Sequence, residues 1–434
     1  MSGDGVIYGG TALTMDGQSA IIPNSIIEVC AGRIKAICAK ENYVPPPGVK
    51  GLDATGCLVM PGFINGHTHV GMTLFRGIAD DLPFHTWLND HIFPIERKWV
   101  SEELVATATT LAAAEMIRSG TTTLNDMYYL TQVVAKTLDR VGLRALCGFV
   151  VIEIGHVGKP TQTLADFEMF TSYLENFPLI EPTLAPHGLY GVSKELFRQV
   201  IELAKKKDVL IHTHLAETQE EVDECYQRHG VSPVEYLDGL GLWSCKVSAA
   251  HCTCLSEKEI EILGRNKVGA THNPESNLKL GTKICPVTEL RAVGCSVALG
   301  TDSVASNNNL DLLAEAGVAA RLQTLQKGIG SLRAEDVVRM LTIEGAASIG
   351  MADRIGSLEV GKSADIIAID VNNPHAVPLF NPYSHLVYSA NSADVKHSMV
   401  NGKVLMENFR LNTIDEKALL KQARDWGERI KNSS

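Results

Sequence analysis

Apolar positions along the chain come in two textures. The first 60 residues carry short runs rich in Val, Ile and Thr, broken by Gly and Pro: GVIYGGTALTM, SIIEVCAGRIKAICA and CLVMPG. β-Branched residues between turn formers predict short strands. The far end repeats this texture in ADIIAIDV (364–371), HLVYSA (385–390) and VKHSMVNGKVLM (395–406), where Asn401-Gly402 predicts a two-residue hairpin. Strand groups this small are barely stable alone. The two ends are therefore expected to build one small β-sandwich domain, from residues 1–60 and 356–434.

Between them, over 61–355, apolar runs of strand character alternate with stretches of helical period. The runs are LVMPGFIN, TTTLND, RALCGFVV, IEPTLAP, VLIHTHL, VSAAHC, VGATHN and SVALGTD. Helical spacing occurs at 102–119, where Leu104, Ala108, Leu111 and Ala112 share one face, and at 193–207, which Ser193 opens as a cap. Eight strands alternating with helices predict an α/β fold, a (β/α)8 TIM-like barrel. No GxGxxG follows the first strand, which removes the main argument for a doubly wound open sheet. Leu419, Ala423, Trp426 and Ile430 recur at helical spacing in 415–431 and predict a helix docked by one face.

Composition narrows the partners. The 434 residues are 45% hydrophobic and 21% charged, with a formal charge of -11. That balance is globular, and it argues against nucleic acid and against an anionic membrane surface. No apolar run is long enough to span a bilayer. Ten cysteines with no CxxC pair suit a reducing compartment. The opening MSGDGVIYGG lacks the basic and apolar regions of a signal peptide. The expected location is the cytoplasm, and the expected partner a neutral or zwitterionic small molecule.

In such a barrel the carboxyl ends of the strands converge on one mouth. Read in order, those ends carry His67 and His69, Asn125 and Asp126, His187, His214, His251, His272 and Asn273, and Asp302. In His67-Thr68-His69 the two imidazoles point to the same side of a strand and can grip one ion. An HxH alone is weak evidence, since a second one occurs at His212-Thr213-His214. There His212, deeper in the strand, reads as a packed or supporting histidine. His214 followed by Glu217 puts an acid/base group beside a metal-bound water, although Glu217 also suits a helix N-terminus. Asp302 completes a His3Asp set, its bland reading being a helix N-cap. His251 suits stabilisation of a developing tetrahedral centre, or a satisfied core histidine. No lysine stands at the ends of strands four or five, so a carboxylated lysine bridge is absent and a single metal is expected.

The segments PGFINGHTH, HLAET, AAHC, THNPESNLKLG and LGTDSVASNNN, in this order, resemble the amidohydrolase superfamily over nearly the whole chain, including GSLEVGKSADIIAID. Within it the chain is similar to adenosine-type deaminases acting on 5′-methylthioadenosine and S-adenosylhomocysteine, with ADDLPFHTWLNDHIFPIE in support. The resemblance implies one divalent metal, zinc in preference to ferrous iron, held by His67, His69, His214 and Asp302. It implies proton transfer by Glu217, with catalytic roles for His251 and Asp302. It also implies ribose hydroxyls on Glu96, purine contact by His187, and Trp87 near the 5′ substituent. A nucleoside substrate and a homo-oligomer are expected. Independently, Glu96 suits a vicinal diol as a buried acceptor pair, or a surface ion pair with Arg97 or Lys98. One departure concerns the amino-acid carboxylate of S-adenosylhomocysteine, which such enzymes meet with arginine after the third strand. Here no arginine lies between Arg144 and Arg198. That leaves Lys159 as a point charge without bidentate geometry, and argues against good use of S-adenosylhomocysteine. Two alternatives are a triazine-type chlorohydrolase or aminohydrolase or another aromatic-ring deaminase of the same superfamily, for which Glu96 has no ribose to hold, and a barrel scaffold without chemistry, which needs none of these side chains.

Overall fold

A computed structural model of the chain describes residues 5–41, 43–46, 48–153 and 164–432. Lys159 lies outside the described residues. Eight strands run side by side in chain order: β1 (Phe63–Thr68), β2 (Thr121–Asp126), β3 (Arg144–Val151), β4 (Ile180–Pro186), β5 (Ile211–Leu215), β6 (Val247–His251), β7 (Gly269–His272) and β8 (Val297–Leu299). Their pairings are parallel throughout. The seam between β1 and β8 closes just past the last strand. Thr68 pairs with Asp302, and the Asp302 N–H donates to the His67 carbonyl at 3.0 Å. Every residue of β1, β2 and β3 is buried, as expected for strands covered on both faces. Helices fill the crossovers. Glu102–Arg118 starts at Ser101, whose side chain accepts from Leu104 N–H, and it buries Leu104, Ala108 and Ala112. Lys194–Lys207 starts the same way at Ser193.

The chain ends form two further sheets. In the larger one, Ile366–Asp370 lies antiparallel to Cys57–Pro61, with Ile366 opposite Pro61, so strands from both termini meet there. The smaller holds Ser25–Cys30 between Arg33–Ala39 and Gly5–Tyr8, with Lys50–Asp53 at its edge. Ile7 and Ile27 of the smaller sheet share a core with Val59, Ile366 and Met399 of the larger. At the hairpin Val395–Val400/Lys403–Glu407, Asn401 and Gly402 have φ of 48° and 74°. Positive φ at both turn residues suits strand twist, and asparagine and glycine tolerate it best.

Sequence pattern failed at 385–390. HLVYSA reads as a strand, yet Pro382–Tyr388 is a helix burying His385, Leu386 and Val387. Asn381 accepts from Ser384 N–H at 3.1 Å and Pro382 opens the first turn. This start signal outweighs the β preference of a short run. The terminal helix Glu416–Lys431 follows its spacing, burying Leu419, Trp426 and Ile430. Trp426 meets Trp99 edge-on at 6.2 Å, and Arg118 grips Glu416 through two hydrogen bonds of 2.8 and 2.7 Å. Among the described residues no helix is long and apolar enough to cross a membrane.

Barrel and sandwich are tied at the amino-terminal end of the strands. Cys57–Pro61 continues through Gly62 into β1, and a Cβ on Gly62 would sit 2.1 Å from the Thr122 side chain. Arg144, at the start of β3, is buried and donates to both Asp365 oxygens at 2.7 and 3.2 Å and to Ser363 Oγ at 2.8 Å. Removing one partner of a buried pair leaves an uncompensated charge. Arg144→Met is therefore expected to lower the unfolding free energy by about 3–5 kcal/mol, read as a drop in the urea midpoint.

Candidate active site

At the mouth, β1, β5 and the residue sealing the seam deliver their side chains to one point. The Nε2 atoms of His67 and His69 lie 3.3 and 3.2 Å from Asp302 Oδ1. The His214 ring stands 4.8 Å from that of His67 and 5.4 Å from that of His69, centroid to centroid. Backbone strain marks the turns that aim these groups, with φ of 48° at Ala216, 72° at His251 and 55° at Asp302. Non-glycine residues hold such angles only where their surroundings fix them.

Second partners orient each donor. His69 Nδ1 donates to the Met127 carbonyl at 2.5 Å, and His214 Nδ1 to the His187 carbonyl. His67 Nδ1 meets His212 Nε2 at 2.9 Å, which gives His212 the supporting position read from the sequence. Asp302 Oδ2 accepts from Ser276 Oγ at 2.6 Å and Ser306 Oγ at 2.8 Å, leaving Oδ1 toward the histidines. Burial holds the His67 and His214 imidazoles below their ordinary value, in the neutral form that offers a lone pair. For Asp302 burial acts upward, but the facing imidazoles of His67 and His69 outweigh it and keep the carboxyl well below its usual range. His67 Nε2 is fully buried and has no hydrogen-bond partner. A buried basic nitrogen so left is costly, and a cation at this point satisfies it. Three imidazoles and one carboxylate form a donor set that fits a zinc-like divalent ion.

Two further groups adjoin this point. His251 Nδ1 accepts from Asn277 Nδ2 at 3.0 Å and from Asn273 Nδ2 at 3.3 Å, so its hydrogen sits on Nε2. Burial takes His251 down to about 3, so it is neutral. Glu217 is buried, with Oε1 3.7 Å from His251 Nδ1. It does not cap a helix: the helix Gln219–His229 starts at Thr218, with Glu220 and Glu221 in its first turn. Glu221 instead holds the strained turn, accepting from Ala216 N–H at 3.2 Å and Glu217 N–H at 2.9 Å. Burial foremost, then the charges of Asp302 and Glu221, push the Glu217 carboxyl well above its ordinary value.

These groups open into a cavity of ≈ 590 Å³. Every side chain to which the sequence reading gave a metal, catalytic or substrate role lines it except His67, which lies fully buried. Trp87 stands on the turn Thr86–Ile92, and Met72, Phe84, Leu88 and Val150 add apolar wall. Glu96, on the helix Phe93–Trp99, is 3% exposed, and Tyr128 OH donates to its Oε1 at 2.8 Å. This excludes the surface-pair reading. Burial pushes Glu96 up to about 7, against the Tyr128 hydrogen bond and the His69 charge. His187 Nδ1 pairs with Tyr190 OH at 2.8 Å.

Besides His67, four strand-end residues do not line the cavity, and one of them, Asn273, holds His251 from behind. Asn125 Nδ2 donates to the Gly66 carbonyl at 3.1 Å, Asp126 Oδ1 accepts from Val70 N–H at 2.8 Å, and both ring nitrogens of His272 are buried without partners. Conversely, Tyr128, Tyr190, Glu221, Ser276, Asn277 and Ser306 carry polar contacts that the sequence reading did not assign. All follow a strand end within a few residues, which is the one signal that could have marked them.

An amidohydrolase family model matches residues 58–405. The chain belongs to the amidohydrolase family. It is 41% identical over 430 residues to a protein of Thermodesulfovibrio yellowstonii named 5-methylthioadenosine/S-adenosylhomocysteine deaminase, covering 97% of each chain. It is likewise 41% identical over 421 residues to a 5′-deoxyadenosine deaminase of Methanothermobacter thermautotrophicus, covering 94% of this chain and 98% of that one. A solved structure of an adenosine deaminase from Xanthomonas campestris with bound zinc superposes with a TM-score of 0.94, at 35% identity and 99% coverage of both chains. Metal dependence belongs to this amidohydrolase architecture, and the donor cluster suits it. Partners that orient a metal ligand are typically worth about 10- to 100-fold in metal affinity. The paired change Ser276→Ala and Ser306→Ala in this amidohydrolase is expected to weaken metal retention by about that factor in chelator competition.

Proposed function

We propose that the chain is a metal-dependent hydrolytic deaminase of 5′-substituted adenosines, exchanging the 6-amino group of the purine for oxygen and releasing ammonia. Substrates of this class include 5′-methylthioadenosine, 5′-deoxyadenosine and adenosine. The observation that carries the reading is the presence, in one cavity, of the His3Asp cluster with Glu217 and of the buried Glu96–Tyr128 pair. A bare triazine has no use for the second. Relatives at 41% identity named as deaminases of such nucleosides support the same reading.

His67, His69, His214 and Asp302 would hold one zinc ion, which when bound supplies hydroxide near neutral pH. Overall, oxygen from water bonds to C6, the C6–N6 bond breaks, and of that water's two protons one ends on the ring nitrogen beside C6 and the other leaves with the amine as ammonia. Glu217 moves one proton to the ring nitrogen beside C6, a role served by a carboxyl whose affinity for protons is raised. His251, neutral with hydrogen on Nε2, donates to the oxygen gaining charge at C6. Asp302 takes the second proton toward the departing amine. Glu96 accepts the two ribose hydroxyls, His187 meets the purine, and Trp87 closes on the 5′ side.

Glu217→Gln is expected to keep its zinc, by elemental analysis, while ammonia release from 5′-methylthioadenosine falls roughly 10²–10⁴-fold. Retained turnover would overturn the proton-transfer role, and chloride release from a chlorinated triazine in place of deamination would overturn the reaction itself. Glu96→Gln is expected to raise KM for 5′-methylthioadenosine about 10- to 100-fold, the scale of a hydrogen bond to a charged group. The 2′,3′-dideoxy analogue should bind the unaltered enzyme as weakly, with little added loss in the variant.

A further inference from the structure

Beyond the end of β8 a further carboxyl is fully buried, and neither the fold nor the proposed chemistry has used it. Glu315 stands in the first turn of the helix Leu312–Lys327, capped by Asp311, whose Oδ1 accepts from Leu313 N–H at 2.9 Å. An acid in that position is ordinarily a solvated complement to the helix dipole. Glu315 instead is 0% exposed, and Glu275 and Asp302 add like charge to its surroundings. A carboxyl in such a place is costly unless its oxygens are met by donors. Its two oxygens reach two different segments. Oε2 accepts from the Glu275 backbone N–H at 3.0 Å, in the helix Pro274–Lys279 that follows β7. Oε1 accepts from Asn307 Nδ2 at 2.5 Å, in the loop that follows β8. The same Asn307 amide also donates to the Thr301 carbonyl at 2.8 Å, one residue before Asp302.

Chain neighbours of these two contacts hold the metal-side carboxylate. Ser276 follows Glu275 and Ser306 precedes Asn307, and these serines donate to Asp302 Oδ2 at 2.6 and 2.8 Å. A second stitch, Asn309 Nδ2 to Glu275 Oε2 at 2.7 Å, joins the same two segments. We infer that Glu315 is a positioning residue for the metal: it clamps the segments after β7 and β8 together, so that both serines reach Asp302 Oδ2 and Oδ1 stays turned toward His67 and His69. The inference rests on the reading of the His3Asp cluster as a metal site. Two hydroxyls on separate segments can share one oxygen only while the segments keep their spacing. A carboxylate suits the clamp and an amide does not, because a carboxylate offers two acceptors and an amide one acceptor and one donor. In Glu315→Gln, which keeps the shape, an N–H must face either the Glu275 N–H or the Asn307 amide. Turning Asn307 over to accept it would break the bond to Thr301.

The test is a double-mutant cycle read by metal retention. Chelator competition for zinc, and the visible bands of the Co2+-loaded protein, are measured on four forms: unaltered, Glu315→Gln, Ser276→Ala with Ser306→Ala, and all three changes together. Glu315→Gln is expected to weaken retention about 10-fold, the lower end for partners that orient a ligand, and to move the Co2+ bands as the serine pair does. On the serine-pair background it should add little, since residues that act through one another are not additive. Unchanged retention and bands, with only a lower melting temperature of the metal-free protein, overturn the inference. So does an equal further loss on the serine-pair background. Asn307→Ala cuts one arm of the clamp and is run through the same cycle with the same expectation. Full additivity there overturns the inference even where Glu315→Gln fails to fold. An unaltered protein that binds neither zinc nor Co2+ overturns the metal reading, and the clamp falls with it.

Discussion

Asp302 performs two tasks with one residue. Its backbone N–H, bonded to the His67 carbonyl, seals the barrel, while its carboxylate faces the Nε2 atoms of His67 and His69. Closing the fold and assembling the donor set are therefore one event. The arrangement concentrates imidazoles and a carboxylate where water is excluded, so their desolvation must be met by mutual contacts, second partners and a cation. Ser276, Ser306, Met127, His187 and His212 supply the second partners. The positive φ at Asp302 is the backbone strain that this convergence imposes.

Much of this was legible from residue order. Period-two spacing put His67 and His69 on one side of β1, and eight alternations of strand and helix put the ends of β1 and β5 at a shared mouth. Glu217 was legible because its distance from His214 is fixed by the strand end. The failures have a common origin. Ser306 and Tyr128 act from irregular segments, and Ser276 from a helix of six residues, too short for periodicity to tie position to direction. Asn125, Asp126 and His272 occupy strand ends as expected, but hydrogen bonds or packing turn them into the wall. At 385–390, six residues of mixed polarity carried too little pattern to compete with an Asn-Pro helix start just upstream.

The helix Phe93–Trp99 shows how selectivity is built onto such a frame. It belongs to none of the eight strands and is introduced by the wide turn Thr86–Ile92, yet it supplies Glu96 to the cavity beside the donor cluster. On the proposed reading, changes in this insertion would retune what is bound without touching the donor cluster, which the barrel strands hold. Loop variation on a constant strand framework is the general route by which barrels diversify.

The pairing of Cys57–Pro61 with Ile366–Asp370 has a consequence for how the molecule is made. At ~5–20 residues per second, about 300 intervening residues keep the early strand waiting on the ribosome for roughly 15–60 s before its neighbour is synthesised. Nascent Leu58, Val59 and Met60 present an apolar ribbon throughout that interval. Production in the cell should accordingly depend on chaperone supply and elongation speed more than the stability of the finished enzyme would suggest.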